Sequence, residues 1–207
     1  MSLYHLGRRM FMGASSPIGG LIKLVAASAV LVTSQMAAQN PAPATRPVAP
    51  NNPELEQIYK EDQAERASGV KPGPDAAQRD RERLRRTAAL IEAGKAQTAD
   101  DYFHAAQVYN HGTTAEDYLR SHELAVLAAA KGNRMALFLS AASLDRFLRE
   151  IGRPQVFGTQ YNRRDNLATI EPFDRSMSDN LRVEFGVPRL KELDARLAER
   201  NSSSKPK

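Results

Sequence analysis

Apolar residues recur at helical spacing along most of the chain between residues 53 and 200. Glycine, proline and asparagine interrupt this pattern where helices normally end. The predicted helices cover residues 53–68, 75–93, 99–111, 115–131, 134–151, 177–185 and 188–199. Helices of this length joined by short turns pack as antiparallel neighbours. The pattern therefore predicts an all-α fold, a compact multi-helix domain built from antiparallel helical hairpins.

Two of these helices begin with nearly identical sequences. Thr98-Ala-Asp-Asp101 and Thr114-Ala-Glu-Asp117 both resemble capping boxes, and each is followed by a tyrosine and an apolar residue. The fourth helix is apolar on nearly all sides from Leu124 to Ala130. A helix that is apolar all round is normally buried, so we expect this one to be central in the domain.

The segment from residue 152 to 175 breaks the helical pattern. Gln155-Val-Phe-Gly-Thr-Gln-Tyr161 is β-like and is interrupted by a glycine. We therefore expect one long ordered loop here, with room for a short strand or hairpin. A loop of this length inside a compact domain is more often functional than idle.

The N-terminal segment is typical of an export signal. Residues 1–38 contain Arg8, Arg9 and Lys23, no acidic residue, and an apolar run that ends in small residues. The two arginines fit a twin-arginine signal, whereas initiation at Met12 would give an ordinary Sec signal. An uncleaved signal anchor is the third alternative. We expect a periplasmic or secreted protein that meets the membrane only through this segment.

Composition shifts divide the rest of the chain. Residues 39–52 are proline-rich and are typical of an extended linker. Residues 53–200 form the predicted helical domain, and residues 201–207 are expected to be a disordered tail.

Charge and cysteine content exclude several classes of protein. The chain has 207 residues, no cysteine and a net charge of +5. Disulfide scaffolds, thiolate zinc sites, iron–sulfur clusters, thiol nucleophiles and cysteine-linked lipid anchors are therefore excluded. Residues 1–38 carry three basic and no acidic residues, so the remaining chain has a net charge of only +2. Because positive and negative charges are nearly balanced in this part of the chain, we do not expect it to bind nucleic acid.

Three aspartates lie on otherwise apolar helix stripes: Asp62, Asp80 and Asp145. A carboxylate in such a position must be paired or must lie at the mouth of a cleft. Arg66 is four residues after Asp62 and is its predicted partner. The partner of Asp145 is expected to be Arg66, Arg153 or a histidine.

Other charged side chains have less specific interpretations. Arg146 is expected to pair with Glu150 along its helix. His104 and His111 share a helix face but are too widely spaced to bind one metal directly, so we expect helix-packing histidines, no metal and no cofactor. The arginine run from residue 79 to 86 is interrupted by acidic residues and lacks aromatics, which favours a solvated helix face over a nucleic-acid site.

Several of these residues also carry a resemblance. The motifs are Asp62-Gln63 with Arg66, Asn110-His111, Asp145-Arg146 and Gln155-Val-Phe-Gly158-Thr159-Gln160. In this combination and order, the chain resembles an uncharacterised bacterial family of unknown function, which implies a helical fold and a candidate site but no activity. Residues 99–151, with their Ala and Gly spacing, resemble a tetratricopeptide-type helical hairpin.

Together these patterns predict a single polar cleft. Its candidate ligand-binding residues are Asp62, Arg66, His111, Asp145, Arg146, Gln155, Gly158, Thr159 and Gln160. The structural alternative is a buried hydrogen-bond network that holds the long loop against the helices.

Three functions are compatible with the sequence. We favour a non-catalytic, exported binding or scaffold domain for a peptide, an envelope component or a small polar ligand. The alternative is a hydrolase in which His111 is the general base and Asp145 orients it. A third interpretation is contact with an anion or nucleic acid through residues 79–86.

Overall fold

Helices and one short hairpin make up the part of the chain that the computed structural model describes, residues 49–67, 73–164 and 167–202. The elements are α1 (Pro53–Glu65), α2 (Ala76–Glu92), α3 (Ala99–Asn110), α4 (Ala115–Ala130), α5 (Met135–Glu150), β1 (Asn162–Arg164), β2 (Leu167–Thr169), α6 (Asp179–Glu184) and α7 (Leu190–Ser202). The predicted all-α fold with a short hairpin is confirmed. No helix among the described residues is long and apolar enough to cross a membrane.

Local capping fixes where the helices begin. The Asn52 side chain accepts hydrogen bonds from the first turn of α1. Thr98 and Thr114 begin α3 and α4, and each forms the predicted capping box with Asp101 or Asp117. These starts depend on side chains only a few residues apart, which is why the sequence predicts them well.

The largest core cluster lies mainly between α3, α4 and α5, and α4 packs against both of the other two helices. Small residues let these helices approach closely, and Ala105, Ala106, Ala125 and Ala128 are fully buried. Ser121 Oγ donates to the main-chain oxygen of Ala106 at 2.8 Å, which ties α4 to α3. α1 packs on α3, and α2 contacts both of them.

The prediction that α4 is central is confirmed, because α4 packs against both α3 and α5, but one side of this apolar helix is not buried. α3 and α5 cover only the face that carries Leu124, Ala125 and Ala128. On the opposite side Leu119 is 36% exposed, Val126 47% and Leu127 40%. We call this side the outer face of α4. It consists of Glu116, Leu119, Arg120, Glu123, Val126, Leu127 and Ala130.

The folded region extends slightly beyond the predicted domain at both ends. The Asn52 N–H donates to Asp101 at 2.6 Å, and Asn51 Nδ2 donates to Asp100 at 3.2 Å, so the end of the proline-rich segment is fixed to α3. α7 continues through Ser202, because Asn201 exchanges hydrogen bonds with both main-chain groups of Ala168. Residues 201 and 202 of the predicted tail therefore belong to α7. The predicted signal, the linker up to residue 48 and residues 203–207 lie outside the described residues.

Candidate functional site

The first polar network is centred on Asp62, which is 1% exposed. Arg66 Nη1 lies 2.8 Å from Asp62 Oδ1, so the predicted pair within α1 is confirmed. His111, at the C-terminal end of α3, places Nδ1 at 2.8 Å from Asp62 Oδ2. The imidazole side chain is about one-fifth exposed (20%). One buried carboxylate therefore joins α1 to α3 and fixes the orientation of the histidine ring.

This network continues into α2 through Asp80, Arg83 and Glu65. Arg83 is 4% exposed, and Nη2 lies 2.9 Å from Glu65 and also contacts Asp80. Burial alone would raise the pKa of Asp80, but hydrogen bonds from Arg66 and Arg83 lower it overall. Hydrogen bonding from Arg83 is the main cause of the lowered pKa of Glu65. These pairs make the α1–α2 interface strongly ionic.

The arginine run from residue 79 to 86 does not simply form a solvated helix face. Four of its five arginines pair with carboxylates within the described residues. These are Arg79 with Glu65, Arg83 with Glu65 and Asp80, Arg85 with Glu82, and Arg86 with Glu54 and Glu61. Because three of these arginines face acids of α1, much of the positive charge is compensated inside the domain.

The second polar network is centred on Asp145 of α5, which is fully buried (0% exposed). Oδ1 accepts the N–H groups of Val156 and Phe157 at 2.8 and 3.0 Å. Oδ2 accepts the N–H and the hydroxyl of Thr159, both at 2.8 Å. None of the predicted partners, Arg66, Arg153 or a histidine, makes these bonds. The carboxylate instead binds the main chain of the loop that follows its own helix.

Two glutamines complete the attachment of this loop. Gln155 is fully buried; Nε2 donates to the main-chain oxygens of Gln160 and Ile170, and Oε1 accepts the Gln160 N–H. Gln160 Nε2 donates to Thr159 Oγ1 at 3.0 Å and to the main-chain oxygen of Ala142 at 3.3 Å. Both side-chain polar atoms of Gln155 and the side-chain nitrogen of Gln160 are thus engaged within the domain.

Position 158 requires glycine because of its backbone conformation and because neighbouring side chains lie close to it. Its φ is +69°, in the left-handed region. A Cβ atom at this position would lie 3.0 Å from Leu193 Cδ2 and 3.1 Å from two ring atoms of Phe173. The close approach is made by side chains of the domain itself, which favours a structural role for this glycine.

The remaining predicted residues have other partners. Arg146 lies over the ring of Tyr118, with 5.7 Å from the guanidinium carbon to the ring centroid, and no ion pair with Glu150 occurs in the described structure. His122 Nδ1 lies 2.9 Å from the main-chain oxygen of Ser140. His104 stacks on Tyr59 at 4.4 Å, and its pKa is lowered mainly by burial. The prediction of helix-packing histidines describes these last two well.

The predicted cleft is thus divided between two networks. Asp62, Arg66 and His111 belong to the first, and Asp145, Gln155, Thr159 and Gln160 belong to the second. Among the described residues, no hydrogen bond or ion pair connects them. The orienting carboxylate of His111 is Asp62 and not Asp145, because the oxygens of Asp145 are already occupied by the loop.

Arg182 is a buried residue that contacts the same loop. It is fully buried, and it donates to the main-chain oxygens of Phe157 and Pro188 at 2.8 and 2.7 Å. Its guanidinium carbon lies 5.5 Å from the ring centroid of Phe173. Burial lowers its pKa, and the nearby carboxylates of Asp179 and Asp145 partly offset this effect. Arg182 therefore fixes the far side of the loop that Asp145 holds.

Neither network suggests a metal centre. Within the described ranges, no group of three or more histidine, aspartate or glutamate side chains is placed to hold a metal ion. Comparison of the chain with protein-family models, with curated proteins and with solved structures gave no match in any of the three. The resemblance to an uncharacterised bacterial family therefore stays a prediction, and the functional argument depends on the geometry.

Proposed function

We propose that this chain is an exported, non-catalytic helical binding domain that docks a peptide or protein segment on the outer face of α4. The observation that carries the proposal is the exposure of Leu119, Val126 and Leu127 on one side of a single helix. Exposed apolar residues that share a helix face mark an interaction surface more often than scattered ones do. Covering each of these side chains would contribute about 1 kcal/mol to binding.

The state of the polar residues favours a peptide over a small polar ligand. Asp145 and Gln155 are fully buried, and their polar atoms are engaged by the loop main chain. A polar ligand would have to break these bonds before it could make its own. The outer face of α4 offers apolar surface that needs no such rearrangement.

Export is part of the proposal and is supported by the sequence. Residues 1–38 combine basic residues, an apolar run and a small-residue end. A partner of this domain would then be a periplasmic, envelope or secreted protein. Fractionation of cells that express the full chain tests this point, and a full-length product found only in the cytoplasm would contradict it.

Site-specific photo-cross-linking tests the binding surface. A photoreactive residue at position 127 should form adducts after export, and the double variant Val126→Lys/Glu116→Lys should reduce them strongly. The matched control places the same residue at position 181, because Leu181 is 55% exposed but lies on α6. Equal adducts at both positions, or none at position 127, would contradict the proposal.

A second candidate, a hydrolase, is favoured by one observation. His111 and Asp62 have the geometry of a general base and its orienting carboxylate, and the imidazole remains partly exposed. This arrangement predicts hydrolysis of an activated ester that is lost in His111→Gln and reduced in Asp62→Asn. If both variants retain the wild-type rate above the buffer reaction, the pair has only a structural role.

A further inference from the structure

We infer that the outer face of α4 binds a second copy of this chain, with the two α4 helices antiparallel about a two-fold axis. This inference rests on the proposed function, because it names the partner of the same surface. The observation that leads to it is the charge pattern along the face, and the small number of side chains that the face presents sets the expected affinity.

The charge pattern is self-complementary. At the middle of the face lie one cation and one anion, Arg120 and Glu123, whose side chains are 2.9 Å apart and about half exposed. Leu119 lies on the N-terminal side of this pair, with Glu116 about one turn further along, and Val126 and Leu127 lie on the C-terminal side. A face with apolar groups on both sides of a central pair of opposite charges fits its own copy when the copy is reversed.

The helix geometry gives the register of this pairing. If the two-fold axis passes midway between residues 120 and 123, Arg120 of each copy lies opposite Glu123 of the other. With a rise of about 1.5 Å per residue, Leu119 of each copy then lies within about one helical turn of Val126 and Leu127 of the other copy. Ala130 is small enough to leave room for the approaching helix.

A heterologous partner requires a matching surface on another protein, whereas a second copy brings the complementary face with it. The face has about seven side chains per copy, fewer than the roughly 20–30 residues per partner of a standard stable interface. We therefore expect a weak dimer, with a Kd of roughly 10–500 µM. Such a dimer would form mainly where the protein is locally concentrated.

Sedimentation velocity of the exported protein over a roughly hundredfold concentration range spanning this Kd tests the inference. The average mass should rise toward that of a dimer. Glu123→Arg should weaken the dimer at least roughly tenfold, because like charges then face each other across the axis. The double variant Arg120→Glu/Glu123→Arg should restore the dimer, since both cross-axis pairs return with reversed signs.

Circular dichroism of each variant shows whether it is folded, and Leu181→Lys is the control for a charge placed elsewhere on an exposed apolar position. A wild-type protein that stays monomeric, a dimer that Glu123→Arg leaves unchanged, or a double variant that fails to recover would each overturn the inference. If the protein is monomeric but position 127 still cross-links to a different protein, the second copy is excluded and the proposed binding function stands. If position 127 also forms no adduct, both are wrong.

Discussion

The substitution Asp145→Asn tests whether the second network holds the long loop in place. In the wild-type protein one carboxylate accepts three main-chain N–H groups and one hydroxyl, all from residues 156–159. Asparagine has nearly the same size, so the change removes acceptor capacity without opening a large cavity. Its effect on the free energy of unfolding therefore measures the hydrogen bonds themselves.

The expected magnitude follows from the geometry. The asparagine oxygen can keep the N–H groups of Val156 and Phe157, which now share Oδ1. The new amide group then faces the N–H of Thr159 and leaves that donor without an acceptor, while the Thr159 hydroxyl can rotate to accept from it. An unsatisfied buried donor costs about 1–3 kcal/mol, and hydrogen bonds to a charged acceptor exceed neutral ones by about 1 kcal/mol. We therefore expect a loss of about 3 kcal/mol.

Asp117→Asn is the matched control. Asp117 Oδ2 also accepts two main-chain N–H groups, from Thr113 and Thr114, but the side chain lies at a partly exposed helix start. Its asparagine variant can present its oxygen to both donors, so we expect a loss below about 1 kcal/mol. Urea unfolding followed by far-UV circular dichroism should show midpoint shifts of about 1.5 M and below about 0.5 M, respectively.

Hydrogen exchange provides a second, local readout. In Asp145→Asn the amide of Thr159, which loses its acceptor, should exchange faster, while those of α3 and α4 should change only in proportion to global stability. If Asp145→Asn and Asp117→Asn have equal unfolding free energies, or if the Thr159 amide keeps its protection, the reasoning about Asp145 is wrong.

Three further predictions concern single residues and use the same unfolding assay. Gly158→Ala should lower the free energy of unfolding by about 3 kcal/mol, because alanine disfavours the left-handed φ and its Cβ would contact close neighbours. Gly152→Ala is the control, because this glycine has φ +71° and open space around it, and its loss should be about 1 kcal/mol. Equal losses would contradict this explanation. His104→Phe should raise the free energy of unfolding by about 1 kcal/mol at neutral pH, because it keeps the stacking on Tyr59 and removes a buried ring nitrogen that has no hydrogen-bond partner among the described residues. Burial lowers the pKa of His104 below its ordinary value of about 6.5. As the pH falls, the unfolded chain therefore binds more protons at this position than the folded protein, and the wild type loses stability. The variant should lack this part of the pH dependence, and pH profiles that run parallel in the two proteins would refute the prediction. Arg83→Met should lower the free energy of unfolding by about 2 kcal/mol and reduce hydrogen-exchange protection first in α2, because Arg83 pairs with Glu65 and Asp80. If protection falls evenly in all helices, the explanation of the α1–α2 interface by ion pairs is wrong.

The helices and their starts follow from the sequence because the interactions that define them are local. The capping boxes at Thr98 and Thr114 involve residues three positions apart, and Arg66 reaches Asp62 within one turn of helix. Residue spacing alone fixes such contacts. The unusual positions of Asp62 and Asp145 were also detectable, because a charged residue on an apolar stripe needs a partner.

Only the tertiary structure determined which partners these residues have. Asp62 binds a histidine 49 positions away, and Asp145 binds main-chain N–H groups, which every residue except proline carries and which leave no trace in the sequence. The exposure of the outer face of α4 could not be predicted from the sequence either. Hydrophobicity indicates that a helix packs against other elements, but it does not indicate which of its sides stay exposed. Long-range packing therefore decided both the division of the polar residues into two networks and the exposure of the surface that we propose as the binding site.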